Sequence, residues 1–229
     1  MDWEPIWNRA RADLAVGPDR GEQDAFLFEH CARVAETARR LIVIPAVQAT
    51  APDEEALVAA ALYHEAGWVV ALRESRVRRE DILVRPLADA DREAGARMLA
   101  LGLGTLLSAD SLGRALRALA SLGDRSAESV EGRILSDSDN LQEFGLLSLW
   151  TTIRRGTMDV RGVRTIIDTW RRRKEYHFWD ARLRDAFYFA EVRAVAECRL
   201  ATLGAFMSGL ETEEAGHDID AMLQEASCR

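Results

Sequence analysis

Two histidines occupy apolar helical faces, where a side chain able to bind a metal ion or move a proton is uncommon. His30 follows Leu27 by three residues and precedes Val34 by four, so on a helix it points along an apolar stripe. A histidine in such a place, taken alone, is more often a hydrogen-bonded core residue than a ligand. Its meaning depends on the other polar residues that share the same core.

The second histidine has a carboxylate next to it. His64 and Glu65 interrupt residues 56–72, which are apolar on every side except at this pair and at Gly67. A buried ionised carboxylate costs several kcal/mol unless a cation or hydrogen-bond donors compensate it. An arginine beside Glu65 would compensate its charge. An adjacent histidine and carboxylate also suit a divalent metal such as Mn, Fe, Co, Ni or Zn.

A third acidic segment contains Asp137 and Asp139. The apolar stripe of its helix consists of Val130, Ile134, Leu141 and Phe144. At least one of the two aspartates therefore turns inward or lies at the border of the buried face. The three segments together favour a metal site over a set of unrelated polar residues.

The elements that position these side chains are predicted to be helices in a single all-α domain. Only five prolines and fifteen glycines interrupt 229 residues. Helices are predicted over residues 22–44, 52–72, 88–101, 109–122, 127–144, 159–182 and 187–212. The joints are expected at residues 102–104, residues 123–124 and Gly156. The tail, 213–229, is either a short final helix or loosely ordered.

Charge and hydropathy exclude several classes of partner. The net charge of −8 opposes binding to nucleic acid or an anionic membrane, and the basic run at residues 171–174 is interpreted as a solvated helix face. The longest apolar run, residues 56–63, is far shorter than the roughly twenty residues needed to span a bilayer. The N-terminus does not resemble a secretory signal. We therefore expect a cytoplasmic protein.

The order of these residues resembles that of the HD-superfamily phosphohydrolases, in which a His, a His-Asp pair and a distant Asp hold a metal ion. The matching positions are His30 in Phe-Glu-His-Cys-Ala-Arg-Val, His64-Glu65 in Ala-Ala-Leu-Tyr-His-Glu-Ala-Gly, and Asp139 in Asp-Ser-Asp-Asn-Leu. The last is similar to the family's Asp-Ala-Asp-Arg-Leu, whose second aspartate is the ligand. The resemblance thus implies His30, His64, Glu65 and Asp139 as ligands, with Asp137 in the shell around them.

The resemblance extends to a subgroup of small bacterial HD proteins that carry His-Phe-Tyr-Glu-Lys-Leu and later Ala-Glu-X-Arg. Here the comparable residues are His177-Phe178-Trp179 and Ala196-Glu197-Cys198-Arg199. The match covers roughly residues 20–212. It implies an HD-domain helical bundle with a metal-binding core at about 22–145 and C-terminal helices at about 146–212.

Two departures from the family pattern bear on the metal. The pair is His-Glu rather than His-Asp, which moves the carboxylate outward by about one methylene. Family members with two metals carry extra histidines after this helix, and the corresponding stretches around residues 91–93 and 119–122 have none. We therefore expect one divalent ion per chain, chosen from Mn, Fe, Co, Ni, Mg or Zn.

The function that the resemblance implies is metal-dependent hydrolysis of phosphate esters or anhydrides by a metal-bound water, with a small phosphorylated molecule, often a nucleotide, as substrate. Arg33 and, less strongly, Arg133 are candidates to bind the phosphate, the alternative for Arg33 being a surface salt bridge. The rival function is a non-catalytic ligand-binding or sensor protein that keeps the HD fold. A homo-oligomer is left open. His177 is expected in an aromatic packing cluster, and His217 in solvent.

Overall fold

The chain is folded as two compact helical units. In the computed structural model, which describes residues 3–17, 25–83, 87–122, 128–159 and 161–227, unit 1 is Met1–Asn140 and unit 2 is Leu141–Arg229. The described residues are largely helical, which confirms the all-α prediction. Residues 22–24 of the first predicted helix, residue 127 of another and the joint at 123–124 lie outside the described residues.

Unit 1 contains the helices that carry the candidate ligands. They are α1 (Glu4–Asp13), α2 (Phe26–Leu41), α3 (Pro45–Gln48), α4 (Glu54–Tyr63), α5 (Gly67–Arg73), α6 (Asp89–Leu103), α7 (Ala109–Ala120) and α8 (Val130–Asn140), with a 3-10 turn at Arg79–Asp81. The apolar stripe predicted for α2 is buried along its whole length. This stripe turns α2 toward the core and brings His30 to its edge.

Helix α4 is the centre of unit 1. Each of its residues from Ala56 to Tyr63 is buried, and it packs against α1, α2, α6, α7 and α8. Its N-terminus is capped by Asp53, whose side chain accepts a hydrogen bond from the Ala56 N–H. The Asp53 N–H in turn donates to Glu131 on α8, and Arg114 on α7 donates to the same carboxylate. This network ties the start of α4 to the helix that carries Asp139.

The predicted helix 52–72 is not continuous. Helix α4 ends at Tyr63, residues 64–66 form a turn, and α5 begins at Gly67. The Ala66 N–H bonds to the Tyr63 carbonyl and the Trp68 N–H to the Glu65 carbonyl, which is the tighter i to i+3 pattern. His64 and Glu65 therefore lie in a turn between two buried helices rather than in the middle of one.

Gly67 allows α5 to approach α6 at backbone distance. A Cβ atom on Gly67 would lie 2.2 Å from the Asp91 carbonyl oxygen, and one on Gly95 would lie 2.8 Å from the Gly67 nitrogen. No side chain fits between these two segments. The helix after the His64-Glu65 turn is consequently held directly against α6.

The described part of unit 2, residues 141–159 and 161–227, contains five helices and a 3-10 turn at Leu141–Glu143. The helices are α9 (Leu146–Met158), α10 (Val163–Glu175), α11 (Phe178–Asp185), α12 (Ala190–Ala215) and α13 (His217–Ser227). The joint predicted at Gly156 is wrong, because Gly156 is buried inside α9 near Ile166. The predicted helix 159–182 is also wrong, because the chain turns at His177, which has a left-handed φ of 50°.

An aromatic cluster forms the core of unit 2. Trp179 lies 5.4 Å from Phe144 and 6.0 Å from Trp170 between ring centroids. His177 does not belong to this cluster, contrary to the prediction: its side chain is exposed and its Nδ1 is 2.9 Å from Asp180 Oδ2. The left-handed turn at His177 directs the next residues inward and leaves the imidazole outside. His217 is exposed, as predicted.

One segment, Glu54–Arg73, has the length and apolar composition of a membrane-crossing helix. Of its most apolar stretch, 78% is buried inside the protein. It corresponds to α4 and α5, which the other helices of unit 1 surround. The segment is therefore a core element of unit 1.

Candidate metal centre

Three side chains of unit 1 converge on one point. The Nε2 atoms of His30 and His64 are 3.3 Å apart, and Asp139 Oδ1 lies 3.6 Å from the first and 3.5 Å from the second. The point equidistant from these three atoms is about 2 Å from each, the usual length of a bond from nitrogen or carboxylate oxygen to zinc and similar ions. Two imidazole nitrogens and a carboxylate oxygen also form a donor set that such metals prefer.

A backbone hydrogen bond orients His64. Its Nδ1 is 2.7 Å from the carbonyl oxygen of Ala61, one turn earlier in α4, so the proton sits on Nδ1 and is donated to that oxygen. Nε2 is then the ring atom that faces His30 and Asp139. Because His64 is buried, neither the ring orientation nor the tautomer changes easily.

His30 is held in its neutral form. Burial lowers its pKa to about 3, and the nearby His64 and Arg33 act in the same direction, while Asp139 opposes them. Two imidazolium rings at this separation would repel each other strongly. A neutral imidazole has the free lone pair that a metal ion requires.

Glu65 lies beside the three converging atoms but not among them. The set of ligand atoms that lie within 4.8 Å of one another contains His30, His64 and Asp139 only, among the described residues. Burial raises the pKa of Glu65 to about 7, with Asp139 adding to the shift and His64 opposing it. Its Oε2 atom is buried and has no hydrogen-bond partner in the described part of the chain. A cation bound beside this buried oxygen would supply the partner that it lacks.

The two aspartates of α8 have different environments. Asp137 is fully buried, whereas the side chain of Asp139 is 34% exposed. Asp139 lies at the border of the buried face, where an oxygen can reach both histidines and still face solvent. Asp137 lies behind it in the core and outside the converging set.

Two arginines are close enough to the site to act on its charges. Arg33, on α2, contributes to lowering the pKa of His30, whereas Arg92, on α6, partly opposes the rise in the pKa of Glu65. The Nε atom of each is buried without a hydrogen-bond partner among the described residues. Sequence reasoning missed Arg92, since nothing in its spacing distinguishes it from a surface arginine. Arg133, on α8, is half-buried four residues before Asp137.

The acidic residues near the start of α6 are already engaged or exposed. Asp91 is buried and forms an ion pair of 2.6 Å with Arg76. Asp89 and Glu93 are 94% and 75% exposed in their side chains. These were the residues that could have replaced the missing histidines of a two-metal site, and their positions favour a single ion.

Solved structures of other proteins share this fold. No protein-family model matches the sequence, and neither does any curated protein. A predicted HD superfamily hydrolase from an uncultured Thermotogales bacterium superposes with a TM-score of 0.57 at 18% identity, covering 92% of this chain and 91% of its own. The protein has the HD-domain fold. The HD-superfamily resemblance seen in the sequence is thereby confirmed at the level of the fold.

Two further structures with similar folds support the same assignment. Bacillus subtilis YpgQ, solved in complex with ADP, matches with a TM-score of 0.56 at 17% identity over 92% of this chain and 93% of its own. The Lin1889 protein of Listeria innocua matches with a TM-score of 0.55 at 16% identity over 94% and 98%. The similarity to these structures covers most of each chain rather than unit 1 alone.

Proposed function

We propose that this protein is a metal-dependent phosphohydrolase whose ion is held by His30, His64 and Asp139, with Glu65 as the remaining ligand. The observation that carries the proposal is the triangle of Nε2, Nε2 and Oδ1 atoms with sides of 3.3–3.6 Å. The unpartnered Oε2 of Glu65 supports a fourth donor, which would reach the others by rotation about its own side-chain torsions. When bound, a divalent ion lowers the pKa of water and offsets charge on a phosphoryl oxygen.

The surrounding residues have separate tasks in this proposal. Arg33 and Arg92 supply guanidinium groups that pair with phosphate oxygens, as arginine does where a planar, two-pronged contact is needed. Arg133 is a third and more distant candidate on α8. Asp137, buried behind Asp139, supports the ligand helix rather than the ion.

For the substrate we propose a small phosphorylated molecule, with nucleotides the first class to examine. One protein of the same fold, YpgQ, was solved in complex with ADP. The two arginines beside the site would meet a polyphosphate more effectively than a single phosphate ester, because each pairs with its own group. We place this activity in the cytoplasm, where nucleotides are abundant.

The test is hydrolysis by the metal-loaded protein. Purified chain is stripped with a chelator, loaded separately with Mn, Co, Ni, Fe, Mg and Zn, and offered nucleoside mono-, di- and triphosphates together with simple phosphate esters. We expect release of phosphate or pyrophosphate with at least one metal, and loss of at least about a hundredfold in rate for His64→Ala. His217→Ala is the matched control, because His217 is exposed in unit 2.

Two results would contradict the proposal. Turnover that survives His64→Ala would place the chemistry elsewhere. Stoichiometric metal binding with no turnover of any phosphate compound would favour the rival function, a ligand-binding or sensor protein that keeps the fold and the ion. The His64-Glu65 pair, in place of His-Asp, is the feature that makes this rival worth separating.

A further inference from the structure

Unit 2 contains a cavity of about 500 Å³ that the proposed hydrolase activity does not use. This volume lies within the range of sites for small organic molecules. Its lining includes the aromatic and aliphatic side chains of Trp170, Trp179 and Leu200, together with Arg173 and Lys174 from the last turn of α10. Every residue that lines it belongs to unit 2.

Arg173 is the unusual residue of this cavity. Its guanidinium lies over the rings of Phe178 and Trp179, at 5.1 and 5.6 Å from their centroids. It forms no ion pair with any described residue. Burial lowers its pKa, Glu143 opposes this, and Arg155 adds to it. Glu143 is itself engaged by Arg182. A half-buried cation without an acidic partner is costly, and an anion supplied from outside would offset that cost.

The basic run 171–174 divides into two parts. Arg171 pairs with Asp168 and Glu211, and Arg172 donates to the Thr169 hydroxyl. Arg173 and Lys174, which face the cavity, pair with no carboxylate in the described part of the chain. The interpretation of the run as a solvated face thus holds for Arg171, Arg172 and Lys174, which are exposed, and not for Arg173, which is half-buried.

The acidic residues of the cavity do not neutralise these cations. Asp180 is 2.9 Å from His177 Nδ1, which donates a hydrogen bond to it. Glu197 lies 3.8 Å from Arg193 on the same helix. Each carboxylate in the lining thus has a partner other than Arg173 and Lys174, and these two cations share the lining with two indole rings.

We infer that this cavity binds a flat aromatic molecule that carries an oxyanion, with the ring against Trp170 and Trp179 and the anion on Arg173 and Lys174. The class includes aromatic carboxylates, sulfonates and phosphates. An aromatic ring matches the indole side chains, and a planar oxyanion matches a guanidinium that no carboxylate occupies. This site is separate from the proposed metal centre and does not depend on it.

A matched pair of probes separates the charge from the ring. Naphthalene-2-carboxylate and its neutral carboxamide are titrated into full-length protein in the presence of a chelator, so that the carboxylate has no metal to bind. Binding is followed by calorimetry and by the isotope-labelled indole N–H signals of Trp170 and Trp179. We expect one carboxylate per chain, binding about tenfold more tightly than the carboxamide, with shifts at both indoles.

Variants within the basic run assign the anion site. Arg173→Met should weaken binding of the carboxylate about tenfold, and Lys174→Met several-fold, without changing the affinity for the carboxamide. Arg172→Met, the neighbour that does not line the cavity, should leave both affinities unchanged within about twofold. Lys174 is exposed, so its variant remains informative if Arg173→Met does not fold.

Three outcomes would overturn the inference. They are equal affinity for carboxylate and carboxamide, equal losses for Arg172→Met and Lys174→Met, and the absence of saturable carboxylate binding up to about 5 mM. These outcomes would leave the proposed hydrolysis in unit 1 untouched, because the metal ligands and the cavity residues belong to different units. For the same reason, His64→Ala should leave naphthalene-2-carboxylate binding intact.

Discussion

Both ring nitrogens of His64 have assigned roles, and this explains how one residue organises the candidate metal centre. Nδ1 donates to the Ala61 carbonyl, and Nε2 faces His30 and Asp139. Without the backbone bond the ring could flip or change tautomer, and its lone pair would point away from the ion. The two aspartates of α8 also differ: Asp139 belongs to the converging set, whereas Asp137 is buried in the core outside it.

The first residue-scale prediction concerns these aspartates. Asp139→Ala should abolish stoichiometric binding of Mn, because it removes the only carboxylate oxygen within reach of both histidines among the described residues. Asp137→Ala should weaken binding about 10–100-fold, since buried partners of a ligand tune its position rather than hold the ion. Titration calorimetry of the two variants checks this. Equal losses, or a larger loss for Asp137→Ala, would show that the wrong aspartate has been chosen.

The second residue-scale prediction concerns pH. The pKa of Glu65 is raised to about 7 by burial, above its ordinary value of 4.5. Between these two values the folded, metal-free protein binds more protons at this residue than the unfolded chain, so stability falls as pH rises through that window. In chelator-treated protein, Glu65→Gln should remove this fall, which is worth at most a few kcal/mol.

Urea unfolding at pH 5 and pH 8 measures that difference. Glu93→Gln is the matched control, because the Glu93 side chain is 75% exposed. Saturating metal should reverse the slope of the wild type, since a carboxylate ligand must be ionised to bind. A wild type and a Glu65→Gln variant with the same pH dependence would argue that Glu65 ionises normally.

At the scale of elements, the sequence predicts best the helices whose burial follows from their own pattern. The stripe of α2 and the all-round apolar character of α4 are enough to place both in the core. The break at residues 64–66 has no such signal, and it is followed at once by the close tertiary contact of α5 with α6. The sequence does not predict helix α9, because Gly156 is typical of a joint between helices. In the structure α9 continues through Gly156, which lies near Ile166.

The close contact between α5 and α6 leads to a prediction for Gly67→Ala. The added methyl group would overlap the Asp91 carbonyl, so α5 must move away from α6, at a cost of about 1–3 kcal/mol. Gly113→Ala is the control in the same unit: its Cβ would meet only the end of the Arg117 side chain, at 3.4 Å. That variant should be neutral or more stable by about 0.5–1 kcal/mol, as expected for alanine in a helix. Chemical denaturation of both variants checks the prediction, and similar free energies of unfolding would contradict it.

At the scale of the whole molecule, the ligands come from places far apart in the sequence and are brought together within unit 1. His30 and Asp139 are 109 positions apart, yet their ligand atoms are 3.6 Å from each other. The resemblance to HD proteins supplies this pairing, whereas periodicity alone places each residue only on a buried face. The free cations of unit 2 could not be predicted in the same way, because the sequence shows four adjacent basic residues and only the structure shows which of them have partners.

We propose that one divalent ion binds per chain at His30, His64 and Asp139, with Glu65 as the remaining ligand. Two ions a few ångströms apart repel each other and each needs its own protein donors, whereas the further acidic residues are paired with arginine or exposed. The most direct test is to saturate stripped protein with Mn and measure bound metal per chain, for the wild type and for His64→Ala. We predict a value near one for the wild type and near zero for the variant; a reproducible value near two, or a variant that still binds one ion, would contradict the account.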